Sequence, residues 1–227
     1  VSNFERFGVG ATAAATAVNA ANIDGITTIV SAGTAAASAL TVTNVAAAST
    51  LEVTALLAAN VILTLKDATG ASDVANLAFV AGSGFTSTGS VDVAGVETLN
   101  ITATDTDATT AAAVFVSPII ATSVKSVVVT GNNGIDLTGL TATTLTAFDA
   151  SGVTATGATG AVTITTGALA AAATLTGGAG NDVINAAAAV AAITLNGGVG
   201  NDTLTGSSTK ASTINGGDGN DTIVGGA

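Results

Sequence analysis

Three nine-residue segments carry the residue pattern with the clearest chemistry. They are Gly177-Gly-Ala-Gly-Asn-Asp-Val-Ile-Asn185, Gly197-Gly-Val-Gly-Asn-Asp-Thr-Leu-Thr205 and Gly216-Gly-Asp-Gly-Asn-Asp-Thr-Ile-Val224. Each has glycine at its first, second and fourth places, where a residue without Cβ lets the backbone curl through positive φ and aim carbonyl oxygens at one point. The aspartate at the sixth place adds a carboxylate. Such an all-oxygen donor set suits a hard cation, and Ca²⁺ takes about six to eight oxygens at roughly 2.3–2.6 Å. One Gly-Asn-Asp segment alone would be an ordinary hairpin turn; three in register are not.

The elements that must position these turns follow from their spacing. The segments start at Gly177, Gly197 and Gly216, 20 and 19 residues apart, which is about two nonapeptides. One such step is a full coil with two strands and two turns. The glycine turns then lie on one side, stacked at the strand spacing of about 4.8 Å. Ile184, Leu204 and Ile223 at the eighth place are expected to start strands and point into the core. The returning strands, at 173–176, 193–196 and 213–215, would supply Leu175, Leu195 and Ile214 to the opposite wall. The opposite corners, 186–192 and 206–211, lack the motif and are not expected to bind metal in this way.

The pattern resembles the RTX nonapeptide, Gly-Gly-x-Gly-x-Asp-x-aliphatic-x, of calcium-binding β-rolls. The resemblance implies that each ion sits between successive turns and takes two carbonyls and one aspartate from each. One site would use Gly178, Gly180 and Asp182 with Gly197, Val199 and Asp202. A second would use Gly198, Gly200 and Asp202 with Gly216, the Asp218 carbonyl and Asp221. Asp202 would serve both.

Elsewhere the chain is a succession of short β-prone runs, among them 40–43, 61–65, 97–102, 126–130, 145–148 and 162–166. Apolar residues alternate with Thr or Asn, the period of a strand with one face inward. Alone, these runs would fit a sandwich, a barrel or a β-helix; with the motif they predict an all-β fold, a parallel β-helix or β-roll solenoid with RTX calcium-binding turns. The Ala runs at 11–15 and 186–189 favour helix, but helices that short are marginal, so coil corners are expected. The repeats are degenerate before residue 160 and explicit after it, giving a region 1–160 and a calcium-binding β-roll over 161–227.

The 227 residues include no Cys, His, Met, Trp or Tyr, six Phe, and 4 Lys and Arg against 15 Asp and Glu, for a net charge of −11. The missing Cys excludes a disulfide framework and a thiolate metal site. Four scattered cations, Arg6, Lys66, Lys125 and Lys210, cannot form a phosphate-binding track, so no nucleic-acid partner is expected. Mean hydropathy is +0.68, yet apolar stretches such as 186–193 fall far below the roughly 18–20 residues of a membrane span. The chain opens without a signal-peptide pattern and closes on Gly225-Gly-Ala227, so it is expected to be a piece of a longer protein.

Residues 61–166 resemble a narrower family. Thr64-Leu-Lys-Asp-Ala-Thr-Gly-Ala-Ser-Asp-Val-Ala-Asn-Leu77, Val93-Ala-Gly-Val-Glu-Thr-Leu-Asn-Ile-Thr-Ala-Thr-Asp-Thr-Asp107, Lys125-Ser-Val-Val-Val-Thr-Gly-Asn132 and Thr146-Ala-Phe-Asp-Ala-Ser-Gly-Val153 are similar, in that order, to the C-terminal part of Caulobacter-type RTX surface-layer proteins. Asn3-Phe-Glu5 looks like a further copy of the Gly-Val-Glu-Thr element. The resemblance implies a β-helical subunit exported by type I secretion, assembling with calcium into a lattice outside the cell. Partners would be copies of itself and, as a further candidate, cell-surface polysaccharide. Asp67 with Asp73, Asp105 with Asp107, and Asp149 are further candidate calcium ligands, each with a turn-capping carboxylate as the ordinary alternative. Glu5, Glu52 and Glu97 fit strand-edge charges better than ligands.

Three functions compete on these grounds. A surface-layer subunit is favoured by the narrower resemblance and the unreactive composition. An RTX calcium-binding module of a secreted adhesin or toxin shares the same turns. A β-helix lyase or epimerase would need acids and bases in a groove, usually with Lys, Arg, His or Tyr, which this chain nearly lacks; no enzyme is expected.

Overall fold

A computed structural model describes residues 5–23, 25–107 and 113–226. The chain winds as a parallel β-solenoid of ten coils. One ten-stranded sheet runs its full length through Arg6–Val9, Thr28–Ser31, Thr50–Val53, Val74–Ala81, Thr98–Asp105, Ser126–Gly131, Ala147–Val153, Ala173–Thr176, Ile193–Val199 and Ser212–Asp218. Each of these strands opens one coil, numbered 1 to 10 in that order. Nine inter-strand steps make a rod roughly 43 Å long.

Two shorter sheets close the coils on the other sides. One joins six strands from Thr16–Asn19 in coil 1 to Leu140–Thr141 in coil 6; the other joins six from Phe115–Val116 in coil 5 to Thr222–Val224 in coil 10. Coils 5 and 6 contribute to all three sheets and are triangular in section, whereas coils 7 to 10 have the expected two strands each. The 19- to 20-residue coil is confined to the motif region, whereas coils 1 to 3 step by 22 residues each. Thr176 pairs with Asn196 and Asn196 with Asn215, steps of 20 and 19 residues. Asn100 pairs with Val128 and Val128 with Asp149, steps of 28 and 21.

Alternation along each strand explains the core. In Thr98–Asp105 the buried residues are Leu99, Ile101 and Ala103; in Ala173–Thr176 they are Ala173 and Leu175. Apart from shifts between Val128 and Thr130 and between Val42 and Val45, parallel neighbours stay in register, and inward apolar residues stack in columns, as Leu175, Leu195 and Ile214 do. Phe79, Phe85 and Phe115 fill coils 4 and 5, with ring centroids 5.1–6.3 Å apart.

The Ala runs are corners as expected, and the two 3₁₀ turns among the described residues are at Ala20–Asn22 and Ala158–Gly160. Two expectations change. Ile184 and Leu204 are fully buried, but Ile223 is half exposed, because coil 10 has a stacked neighbour on one side alone among the described residues. Glu52 does not guard an edge: its strand is internal to the long sheet, and Arg6 Nη2 donates to Glu52 Oε1 at 2.5 Å. The Asn3-Phe-Glu5 element lies partly outside the described residues.

Candidate metal centre

The motif turns join the long sheet to the sheet containing Val183–Asn185, Thr203–Thr205 and Thr222–Val224. Stacking in register places like residues above like. Gly198 pairs with Gly217 and Val199 with Asp218, and the aspartates form a column. Val162 N–H donates to Asp182 Oδ1 at 2.7 Å, Asp182 N–H to Asp202 Oδ1 at 2.8 Å, and Asp202 N–H to Asp221 Oδ1 at 3.0 Å. Asp182 and Asp202 are buried, and Asp221 is half-buried at the last turn.

The second carboxylate oxygens face bare glycine. A methyl group on Gly177 would lie 2.2 Å from both Asp182 Oδ2 and the Gly197 carbonyl; one on Gly197 would lie 2.2 Å from Asp202 Oδ2 and 2.3 Å from the Gly216 carbonyl. The first-place glycines thus leave space where a carboxylate and the next coil's carbonyl converge, although at Asp182 Oδ2 the Gly178 N–H already enters it. Asp202 Oδ2 is buried there without a hydrogen-bond partner, the kind of orphaned acceptor that an ion would satisfy. A hard cation fits this donor set. Among the described residues no three acidic, His or Cys side chains gather on one point, so most donors to an ion would be peptide carbonyls.

Of the expected ligands, the turns bring together Asp182 with Gly197 and Asp202 with Gly216. Some of the expected carbonyls also accept between coils: Gly178 O from Val199 N–H at 3.1 Å and Asp218 O from Gly200 N–H at 2.8 Å. Each keeps a second lone pair. Val199 is half exposed, so its contribution would come from the backbone alone.

A second ladder escaped the sequence analysis. Asn181 Oδ1 accepts from Asn201 N–H at 2.9 Å, and Asn201 Oδ1 from Asn220 N–H at 2.8 Å. The signal was present, because asparagine occupies the fifth place of all three copies. Away from the motif, Asp67 Oδ1 takes the Thr69 hydroxyl and N–H, Asp105 Oδ1 the Asp107 N–H, and Asp149 Oδ1 the Ser151 N–H. These are the turn-capping roles named as alternatives. The Thr69 hydroxyl, with its N–H, holds Asp67 below the usual aspartate range.

Burial pushes Asp182 from 3.8 up to about 6, against the lowering influence of the Val162 and Gly178 N–H groups and with a further rise from Asp202. Burial also raises Asp202, opposed by the Asp182 N–H and aided by Asp221. A carboxyl raised on folding binds its proton more tightly in the folded state. Its stabilising effect is therefore fully present below about 3.8 and lost as pH rises through about 6. With chelator present, coil 8, which carries Asp182, should melt a few degrees higher at pH 5 than at pH 7.5. Calcium held at Asp202 would need that carboxyl ionised, and it should bind more weakly at the lower pH. Thermal melts and calcium titrations at the two pH values check both signs; a chelated protein less stable at pH 5 would contradict the burial of Asp182.

Comparison with known families gives a model of the RTX calcium-binding nonapeptide repeat, matching residues 172–188 and 196–227. No curated protein matches the chain. The three turns are therefore RTX calcium-binding repeats, carried on one end of a β-solenoid.

Proposed function

We propose that this chain is a structural module of a secreted protein, and specifically a surface-layer subunit whose RTX coils fold and whose copies assemble with calcium outside the cell. The observation carrying this reading is the continuity of the long sheet: a rod of coils without the motif runs in register into the RTX turns. Ordering the turns thereby fixes the end of a rigid building block. The composition supports a scaffold over a catalyst, because general acid–base chemistry would have to be done without His, Cys or Tyr. RTX repeats belong to secreted proteins, and export by type I secretion before calcium-driven folding fits a Gly-rich, acidic end. The resemblance of residues 61–166 to Caulobacter-type surface-layer proteins favours the lattice. The division near residue 160 becomes functional in this reading, with the rod of degenerate repeats before it and the calcium turns after it.

With a net charge of −11, copies repel one another until cations lower the charge. The full-length protein should form sheets or filaments with Ca²⁺ and disperse in chelator, as seen by electron microscopy. Calcium-loaded, folded protein that stays monomeric at high concentration would favour the other reading, a calcium-binding module of an adhesin or toxin.

A further inference from the structure

The motif occurs three times but folds in two ways. In the second and third copies the long-sheet strand runs on through the third motif residue, to Val199 and Asp218. The second and fourth glycines there are left-handed: Gly198 has φ +113, Gly200 +134, Gly217 +100 and Gly219 +137. In the first copy the strand stops at Thr176, and Gly178 and Gly180 stay outside the left-handed region. The turn closes on itself instead, with Gly178 N–H donating to Asp182 Oδ2 at 2.5 Å.

The coil beneath accounts for the difference. Coil 7 has no motif, and Val162 stands where coils 8, 9 and 10 have Asp182, Asp202 and Asp221. Its corner still packs as a turn. Gly157 O accepts from Asn181 N–H at 2.9 Å, Val153 O accepts from Ala179 N–H at 3.1 Å, and Gly157 bridges to Gly180. A methyl on Gly180 would lie 2.2 Å from the Gly160 carbonyl carbon, so this contact leaves no room for a side chain. Coil 7 offers Asp182 no carboxylate, and on the coil 9 side the Asp182 Oδ2 that lies near the Gly197 carbonyl already accepts from Gly178 N–H. Both Asp182 oxygens are taken by peptide N–H groups, from Val162 and Gly178, whereas Asp202 keeps one oxygen buried and unpartnered.

We infer that the first copy, Gly177–Asn185, is a calcium-independent adaptor: peptide hydrogens hold its aspartate, and it offers the metal-dependent copies a finished turn to stack on. This rests on the reading that the later copies bind calcium. Coil 8 belongs thermodynamically to the rod, and calcium-driven folding of coils 9 and 10 starts from it and proceeds toward the C-terminal side. The adaptor converts a costly nucleation in a Gly-rich chain into propagation from an existing strand and turn.

Amide hydrogen exchange on the full chain, with Ca²⁺ and with chelator, tests this. The Val162 and Gly178 amides should be protected in both conditions, and those of Asp202 and Thr222 with calcium alone. In chelator, Asp182→Asn should speed exchange at Gly178 by about tenfold or more, because an amide side chain can accept at one atom only. Coil 8 amides that open together with those of coils 9 and 10 in chelator would overturn the adaptor, as would an Asp182→Asn protein exchanging like wild type at Gly178. If coils 9 and 10 are indifferent to chelator while coil 8 is protected, it is the calcium reading that fails.

Discussion

Excess chelator is expected to remove β-structure from coils 9 and 10 while leaving the rod before them folded; equal Mg²⁺ should not restore it, and Ca²⁺ should. Without the ion, Asp182, Asp202 and Asp221 stand in one column, where burial first, and then the neighbouring carboxylates Asp202 and Asp221, disfavour the charged forms of Asp182 and Asp202. The glycines at 197, 198, 200, 216, 217 and 219 must be ordered at a large entropic cost. Their coils bury less apolar surface than those before them: Leu195 and Leu204 are fully buried, but Ile214 is partly exposed and Ile223 half exposed. An ion bound only by the folded form adds about 2.7 kcal/mol when its concentration is a hundred times its Kd. That is enough to decide the state of two coils of marginal stability. Mg²⁺ demands near-ideal octahedral geometry at about 2.0–2.1 Å and holds its water, which stacked peptide carbonyls suit poorly. Far-UV circular dichroism shows the partial loss and its recovery. A spectrum unchanged by chelator would rule out metal-linked folding of these coils.

How much of this was legible in the sequence varies along the rod. The motif coils were legible because glycine, asparagine and aspartate recur at fixed places, so coil length and the inward Leu175, Leu195, Ile184 and Leu204 followed from counting. The strands expected to start at Ile184, Leu204 and Ile223 start one residue earlier. The same method failed over coils 1 to 7. Their strands alternate as expected, but their corners vary in length, from the 21-residue step between Val128 and Asp149 to the 28-residue step between Asn100 and Val128. No turn residue marks the corners at a constant interval, so neither the register nor the third sheet could be counted. Glu52 shows a second limit. Its strand lies between two others, and the Arg6 that neutralises it is 46 residues away in sequence.

The two conformations of the motif could not be read at all from the repeats themselves. Gly177–Asp182 and Gly197–Asp202 have the same residue at five of six places, yet one closes a hydrogen bond where the other leaves an oxygen open. What differs is the neighbour underneath. The conformation of a solenoid turn is set jointly by its own residues and by the coil it stacks on.

Asp202→Asn should then be the substitution with the largest effect on calcium. Its Oδ1 accepts the Asp182 N–H, which an amide oxygen can also do, so the stack of coils is kept. Its Oδ2 is buried without a partner, beside the Gly216 carbonyl across the bare face of Gly197. Replacing that oxygen by NH₂ removes the charge and points donors at the cation. Losing one charge-assisted contact costs about 1.5–3 kcal/mol, roughly ten- to a hundredfold in affinity, and the misplaced donor adds to this. Asp221→Asn should cost less, because Asp221 lies at the half-buried outer turn. Asp149→Asn, which changes a cap on Ser151 N–H in coil 7, should leave calcium binding as it is. Calorimetric titration of the three variants orders them directly. If Asp202→Asn binds calcium as wild type does, the ion is not held at the oxygen the fold leaves unpartnered, and the central place of Asp202 is wrong.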